Sequence, residues 1–118
     1  MIRKVNRFHG HGSLRYLKNN AEDKRSRFFA IKYVENKMRK NSRFSVIISK
    51  KIVKSAVSRN RIRRRLFEII RLNLKNIKPG TDMAIIVFSA DLKDINYDEI
   101  NEVFLKLLKD AGLLLLDE

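Results

Sequence analysis

The sequence predicts an α+β fold, an α/β sandwich in which a single sheet, four-stranded or similar, is packed by helices. Three observations predict it. Two short runs rich in aromatic and β-branched residues precede a long amphipathic helix. A continuous apolar run bounded by turn residues follows that helix. A second amphipathic helix with clear start and stop signals comes last. The length, 118 residues, suits one domain with a real core and is too short for two. An apolar share of 44% beside 34% charged residues fits a folded protein and argues against a disordered basic tail.

Residues 1–12 read as a basic, flexible N-terminus of the single domain 1–118, ended by the breaker cluster Gly10-His11-Gly12-Ser13. Ser13 suits the N-cap of a short helix over residues 14–20. Residues 28–34 form a first strand by composition. In residues 43–49, Phe44, Val46 and Ile48 alternate with Ser45 and Ser49, which predicts a half-buried strand pairing with the first as a hairpin. A helix then starts near Ser55 or Ser58 and runs to about Lys75. On its wheel Leu66, Ile69 and Ile70 lie within roughly 80° of Ile62, with Arg61, Arg64, Arg71 and Lys75 roughly opposite. Lys78-Pro79-Gly80 breaks the chain, and residues 83–88 suit a central strand buried on both faces. For the last helix, Asn96-Tyr97-Asp98-Glu99 resembles a capping box, and Gly112 marks the stop. Residues 113–116 are expected to pack as a tail.

Charge is distributed unevenly. Residues 1–80 carry 24 Lys or Arg against 4 acids, and residues 81–118 carry 3 against 9, within an overall net charge of +14. Residues 36–67 hold twelve Lys or Arg and no acid. Eight of these fall in residues 50–65. Solvated helices mix both signs at i, i+4, because like charges at that spacing repel. A helix that stacks arginine on arginine therefore points to a polyanion, and arginine's planar fork favours phosphate and bases. Asn60, between two arginines, adds a neutral group able to reach a base edge, ribose or phosphate.

The sequence excludes several other chemistries. There is no cysteine, hence no disulfide and no thiolate metal site. The only histidines, His9 and His11, flank Gly10 without a nearby carboxylate, a poor metal site and a poor general base. Asp82, Asp91, Asp94 and Asp98 sit in turns or caps, which accounts for them without a two-metal site. No active site is visible on the protein. No apolar signal core follows the basic start, and no run reaches the ~18 apolar residues of a membrane span. The expectation is a cytoplasmic protein with no membrane association and no small-molecule substrate.

Ser49-Lys50-Lys51-Ile52, followed by Ala56-Val57-Ser58-Arg59-Asn60-Arg61-Ile62-Arg63-Arg64, resembles the signature of the protein subunit of bacterial ribonuclease P. The resemblance extends over nearly the whole chain, from Asn6-Arg7 through residues 27–34 and 79–88 to residues 97–112. It implies a fold like the second domain of a small-subunit ribosomal protein, with a left-handed strand–helix–strand crossover where a right-handed one is the general rule. It implies a ribonucleoprotein endonuclease that removes the 5′ leader of precursor tRNA. In that enzyme the ribonuclease P RNA carries the active site and binds most of the magnesium. The partners implied are that RNA and precursor tRNA.

Carried over, Arg59, Asn60, Arg61, Arg64 and Arg65 would contact the catalytic RNA, supported by Lys50, Lys51 and Lys54. The resemblance also implies that the leader is held in a cleft between the sheet and the first helix, and two departures concern that cleft. Where the family has an aromatic pair on the first helix this chain has Leu14 and Lys18, and Lys32 stands where a tyrosine is usual. Stacking on aromatics is worth roughly 1–3 kcal/mol per base, so the leader is expected to be held more by charge. Phe28 and Lys32 are the cleft candidates on the first strand, although Phe28 suits core packing equally well. The alternatives are a ribosomal-RNA-binding structural protein of similar fold and a helical DNA-binding module. The module lacks a paired helix-turn-helix, and the extended signature favours ribonuclease P over the ribosomal reading.

Overall fold

A computed structural model describes residues 22–35 and 40–115. In these, β1 (Glu22–Arg25), β2 (Phe29–Glu35), β3 (Arg43–Ile47) and β4 (Thr81–Val87) form one sheet in the order β1-β2-β4-β3. Helix α1 (Ala56–Asn73) links β3 to β4, and α2 (Tyr97–Asp110) follows β4. Short 3-10 turns occupy Leu74–Asn76 and Ala90–Lys93. The helix expected over residues 14–20 lies outside the described residues, as do Leu14 and Lys18.

The hairpin expected between β2 and β3 does not form. Both strands pair with β4 instead, β2 antiparallel and β3 parallel. The physical reason lies in β4, which is buried at every position except Ile86 and so belongs between two partners. β3 has one polar face and tolerates an edge. A parallel neighbour needs a long crossover, and α1 supplies it. The true hairpin joins β1 to β2. Ser26 closes it, its N–H donating to the Phe29 carbonyl at 2.9 Å and its Oγ accepting from the Phe28 and Phe29 N–H groups. Residues 22–25 read Glu-Asp-Lys-Arg, which hides the strand from any propensity argument; such charges suit an exposed edge.

Register divides the sheet into two faces. Tyr33, Met83 and Phe44 form one row and Ile31, Ile85 and Val46 the next. These rows meet Ile62, Leu66, Ile69 and Ile70 of α1 and Ile100, Phe104, Leu107 and Leu108 of α2 in one core. The other face carries Lys32, Ala84 and Ser45 in one row and Val34, Asp82 and Arg43 in another. In that second row Arg43 donates to both carboxylate oxygens of Asp82, at 2.9 and 2.7 Å, and Asp82 is 1% exposed.

Both helices end as their sequences direct. Ser55 caps α1, its Oγ accepting from the Ser58 N–H. Asn96 caps α2, its Oδ1 accepting from Asp98 at 2.7 Å. At the far end Gly112 takes a φ of 73°, and the Gly112 and Leu113 N–H groups return to the Lys109 and Leu108 carbonyls. That is a Schellman stop, for which glycine is the natural residue. Leu113 is buried, and the Lys78 N–H donates to its carbonyl at 2.8 Å.

Removing one partner of a buried ion pair strands the other charge. Asp82→Ala is therefore expected to lower unfolding stability by about 3 kcal/mol, measured by denaturant titration. An unchanged midpoint would show that the pair does not contribute.

Candidate nucleic-acid interface

The interface begins where β3 ends. The Ser49 carbonyl accepts from the Ile52 and Val53 N–H groups, and Ser49 Oγ accepts from the Lys51 N–H at 3.0 Å. This turn buries Val53 as an anchor and leaves Lys50, Lys51 and Lys54 exposed. Arg59, one turn into α1, donates from Nη1 to the Val53 and Lys54 carbonyls, both at 2.9 Å. The lysine-bearing turn is thus tied to the helix. The first turn of α1 contains no acid, so the positive end of its dipole adds to the same patch.

Along α1 Ile62, Leu66, Phe67, Ile69 and Ile70 face inward, whereas Val57, Asn60, Arg61, Arg64 and Leu72 face solvent. Arg63 is half-buried and donates to Asn60 Oδ1 at 3.2 Å. Arg61 is exposed and donates from Nε to the Lys93 carbonyl at 2.7 Å. Among the described residues no carboxylate forms an ion pair with Lys50, Lys51, Lys54, Arg59, Arg61, Arg63, Arg64 or Arg65. Glu68, the single acid on α1, is paired with Arg71 at 2.5 Å. That guanidinium, hydrogen-bonded to it, holds the Glu68 carboxyl below the ordinary carboxylate range. The helix therefore presents a net cationic surface.

Arg65 differs from the expectation that it contacts RNA directly. At 8% exposure it turns inward, donating to the Lys93 carbonyl at 2.6 Å and also to the Ile95 carbonyl. Its Cζ lies 4.5 Å from the centre of the Tyr97 ring. The wheel explains this, since position 65 is about 60° from Ile62 and belongs near the core stripe. Arg65 fastens the segment after β4 to α1.

The surface holds two adjoining open depressions. One, about 440 Å³, is lined by Arg61, Arg64, Arg65, Glu68 and Tyr97. The other, about 430 Å³, is lined by Val57, Asn60, Arg63 and Arg64. Arg64 stands on the divide. Arg63 was not among the expected contacts, although its i, i+3 spacing to Asn60 is a local signal; Tyr97 has no such signal, because only the tertiary fold brings it beside Arg65. Of the leader-cleft candidates, Phe28 is buried with the core, with Arg27 over its ring at 4.6 Å. Lys32 lies half-buried on the opposite face of the sheet, in the row with Ala84 and Ser45.

Comparison with known proteins supplies an independent line. Residues 2–112 match the model of the Ribonuclease P family. The ribonuclease P protein component of Roseiflexus castenholzii is 40% identical over 76 residues, covering 64% of this chain and 62% of that protein. That of Clostridium botulinum (strain Loch Maree) is 41% identical over 73 residues, 61% of this chain and 64% of that one. The chain's match thus spans a little under two thirds of the length of these relatives. The Coxiella burnetii component is 36% identical over 89 residues, 72% of this chain and 71% of its own length. Among solved structures, the ribonuclease P protein of Staphylococcus aureus superposes with a TM-score of 0.80 at 24% identity, covering 93% of this chain and 98% of its own. That of Thermotoga maritima gives 0.78 at 23%, covering 88% and 96%. At such identities the structural likeness establishes the fold.

Lysine cannot reproduce a fork that spans two carbonyls and stacks on a ring. Arg65→Lys is expected to lower stability by about 1–3 kcal/mol, whereas Arg64→Ala, on the solvent face, stays within about 0.5 kcal/mol of the parent. Thermal unfolding of the two variants checks this. Equal stability would remove Arg65 from its positioning role.

Proposed function

The chain belongs to the ribonuclease P protein family, and we propose that it acts as the RNA-binding protein subunit of a ribonucleoprotein endoribonuclease. Its substrate is precursor tRNA, from which the 5′ leader is removed to give the mature 5′ end. The observation that carries this reading is the outer face of α1 together with the turn before it. Lysines, arginines and Asn60 are gathered there, without carboxylate partners among the described residues. Such a face binds a phosphate backbone by releasing its counterions.

In this reading Lys50, Lys51, Lys54, Arg61 and Arg64 meet phosphates of the ribonuclease P RNA. Asn60 and Arg63 supply directional hydrogen bonds beside them. Arg59 and Arg65 hold the turn and the segment after β4, so that the face docks already formed. Lys32, on the other side of the sheet, meets the leader through charge. A single sheet thus separates the two RNA contacts.

Magnesium belongs with the RNA in this account. The ion takes oxygen ligands, carboxylates foremost, and this face offers arginine, lysine and amide, its one carboxylate, Glu68, being engaged by Arg71. Among the described residues no group of three His, Cys, Asp or Glu is placed to hold a metal. Nor is any described helix long and apolar enough to cross a membrane. We place the protein with its RNA in the cytoplasm.

Binding to an in-vitro-transcribed bacterial ribonuclease P RNA tests the reading. If six phosphates are contacted, log K should fall with log salt at a slope of roughly −4 to −5. Arg64→Ala should weaken binding by about 1–3 kcal/mol and flatten the slope by about one unit. Unchanged affinity and slope would take α1 out of the interface; tight binding to ribosomal RNA instead would favour a structural ribosomal role. Lys32→Ala should weaken precursor tRNA more than mature tRNA in the assembled enzyme. Equal loss for both would remove Lys32 from the leader path.

A further inference from the structure

Among the described residues the cationic face carries one exposed aromatic side chain. Tyr97 is 45% exposed and stands at the edge of the larger depression. We propose that Tyr97 is a stacking platform for one unpaired nucleobase of the bound RNA, with Arg61 and Arg64 on the adjoining phosphates. This rests on the RNA-binding reading above and adds a base contact to what is otherwise a backbone interface.

Three observations carry it. The ring is held in place before any ligand arrives. Its backbone opens α2 behind the Asn96 cap, and one side is covered by the Arg65 guanidinium at 4.5 Å. That guanidinium is itself fixed by the Lys93 and Ile95 carbonyls. A rigid aromatic surface loses little entropy on binding. Next, the chemistry around the ring selects the occupant. Arg61 and Arg64 line the same depression of about 440 Å³, so an apolar planar group must arrive attached to anionic ones, as a nucleotide does. Glu68, also at the rim, is engaged by Arg71 and does not repel it. Finally, the cation behind the ring draws electron density from it. The free side therefore favours an electron-rich base over a second cation, which would otherwise compete for an exposed tyrosine. Every base offers such a face, so the contact is tolerant of sequence.

The test uses the full chain and an in-vitro-transcribed bacterial ribonuclease P RNA. The chain has no tryptophan, so Tyr97→Trp introduces a single fluorescent reporter at the site. Its emission should be quenched on saturation with RNA, with affinity kept within about threefold. Tyr97→Phe should bind like the parent, whereas Tyr97→Leu should lose roughly tenfold or more. The salt slope of Tyr97→Leu should stay unchanged, because no phosphate contact is removed. A purely structural role for Tyr97 would lower the thermal midpoint of Tyr97→Leu and leave the tryptophan unquenched. Parental affinity in Tyr97→Leu, or unquenched emission in the saturated complex, would overturn the stacking proposal while the RNA-binding reading stood. Failure of the unsubstituted chain to bind this RNA would overturn both.

Discussion

A buried guanidinium that bonds neutral carbonyls rather than a carboxylate is the interaction on which the functional face depends. Arg65 sits beneath Tyr97 and fastens the segment after β4 to α1 through the Lys93 and Ile95 carbonyls. A carboxylate partner would have held the segment equally well but cancelled the charge. Carbonyl partners satisfy the donors and leave the charge in place. Burial of a cation without a counter-charge is unfavourable, and Arg65 Nε has no hydrogen-bond partner among the described residues. The face is thus held in a state that an arriving polyanion improves. The same logic applies to Arg59, whose bonds to the Val53 and Lys54 carbonyls order the lysine-bearing turn without neutralising it.

The sheet makes this helix possible. A helix crowded with like charges gains little from its own propensity and must be held by packing. Ile62, Leu66, Ile69 and Ile70 provide that packing against rows set by β2, β4 and β3. Because β4 lies between the other two long strands, the core rows are continuous across the sheet. The second face then mixes Lys32, Ala84, Ser45 and the Arg43–Asp82 pair with Val34, Ile86 and Ile47. The arginine-dense surface thus lies on the helix side of the core, with Lys32 on the opposite face of the sheet.

Much of this was legible in the residues. The cap at Ser55, the stop at Gly112, the inward stripe of α1 and the central place of β4 follow from local rules that the tertiary fold did not override. The pairing of β2 with β3 was misread because adjacency in sequence suggests a hairpin, whereas burial of β4 on both sides decides the order. β1 escaped notice because Glu-Asp-Lys-Arg has no strand propensity, and an edge tolerates it. At the site, the exposed cations Lys50, Lys51, Lys54, Arg61 and Arg64 were readable from charge and phase. The inward turn of Arg65 was readable only from its angle beside Ile62. Tyr97 carried no local signal, because its meaning arises when the chain returns across α1.

The central claim is that this protein assists an RNA that performs the cleavage. Precursor-tRNA cleavage by a bacterial ribonuclease P RNA at low magnesium, with and without the protein, tests it most directly. The account predicts strong stimulation by the protein and no cleavage by the protein alone, because the cationic face replaces part of the charge screening that magnesium otherwise provides. Tight binding to that RNA without any stimulation would contradict it.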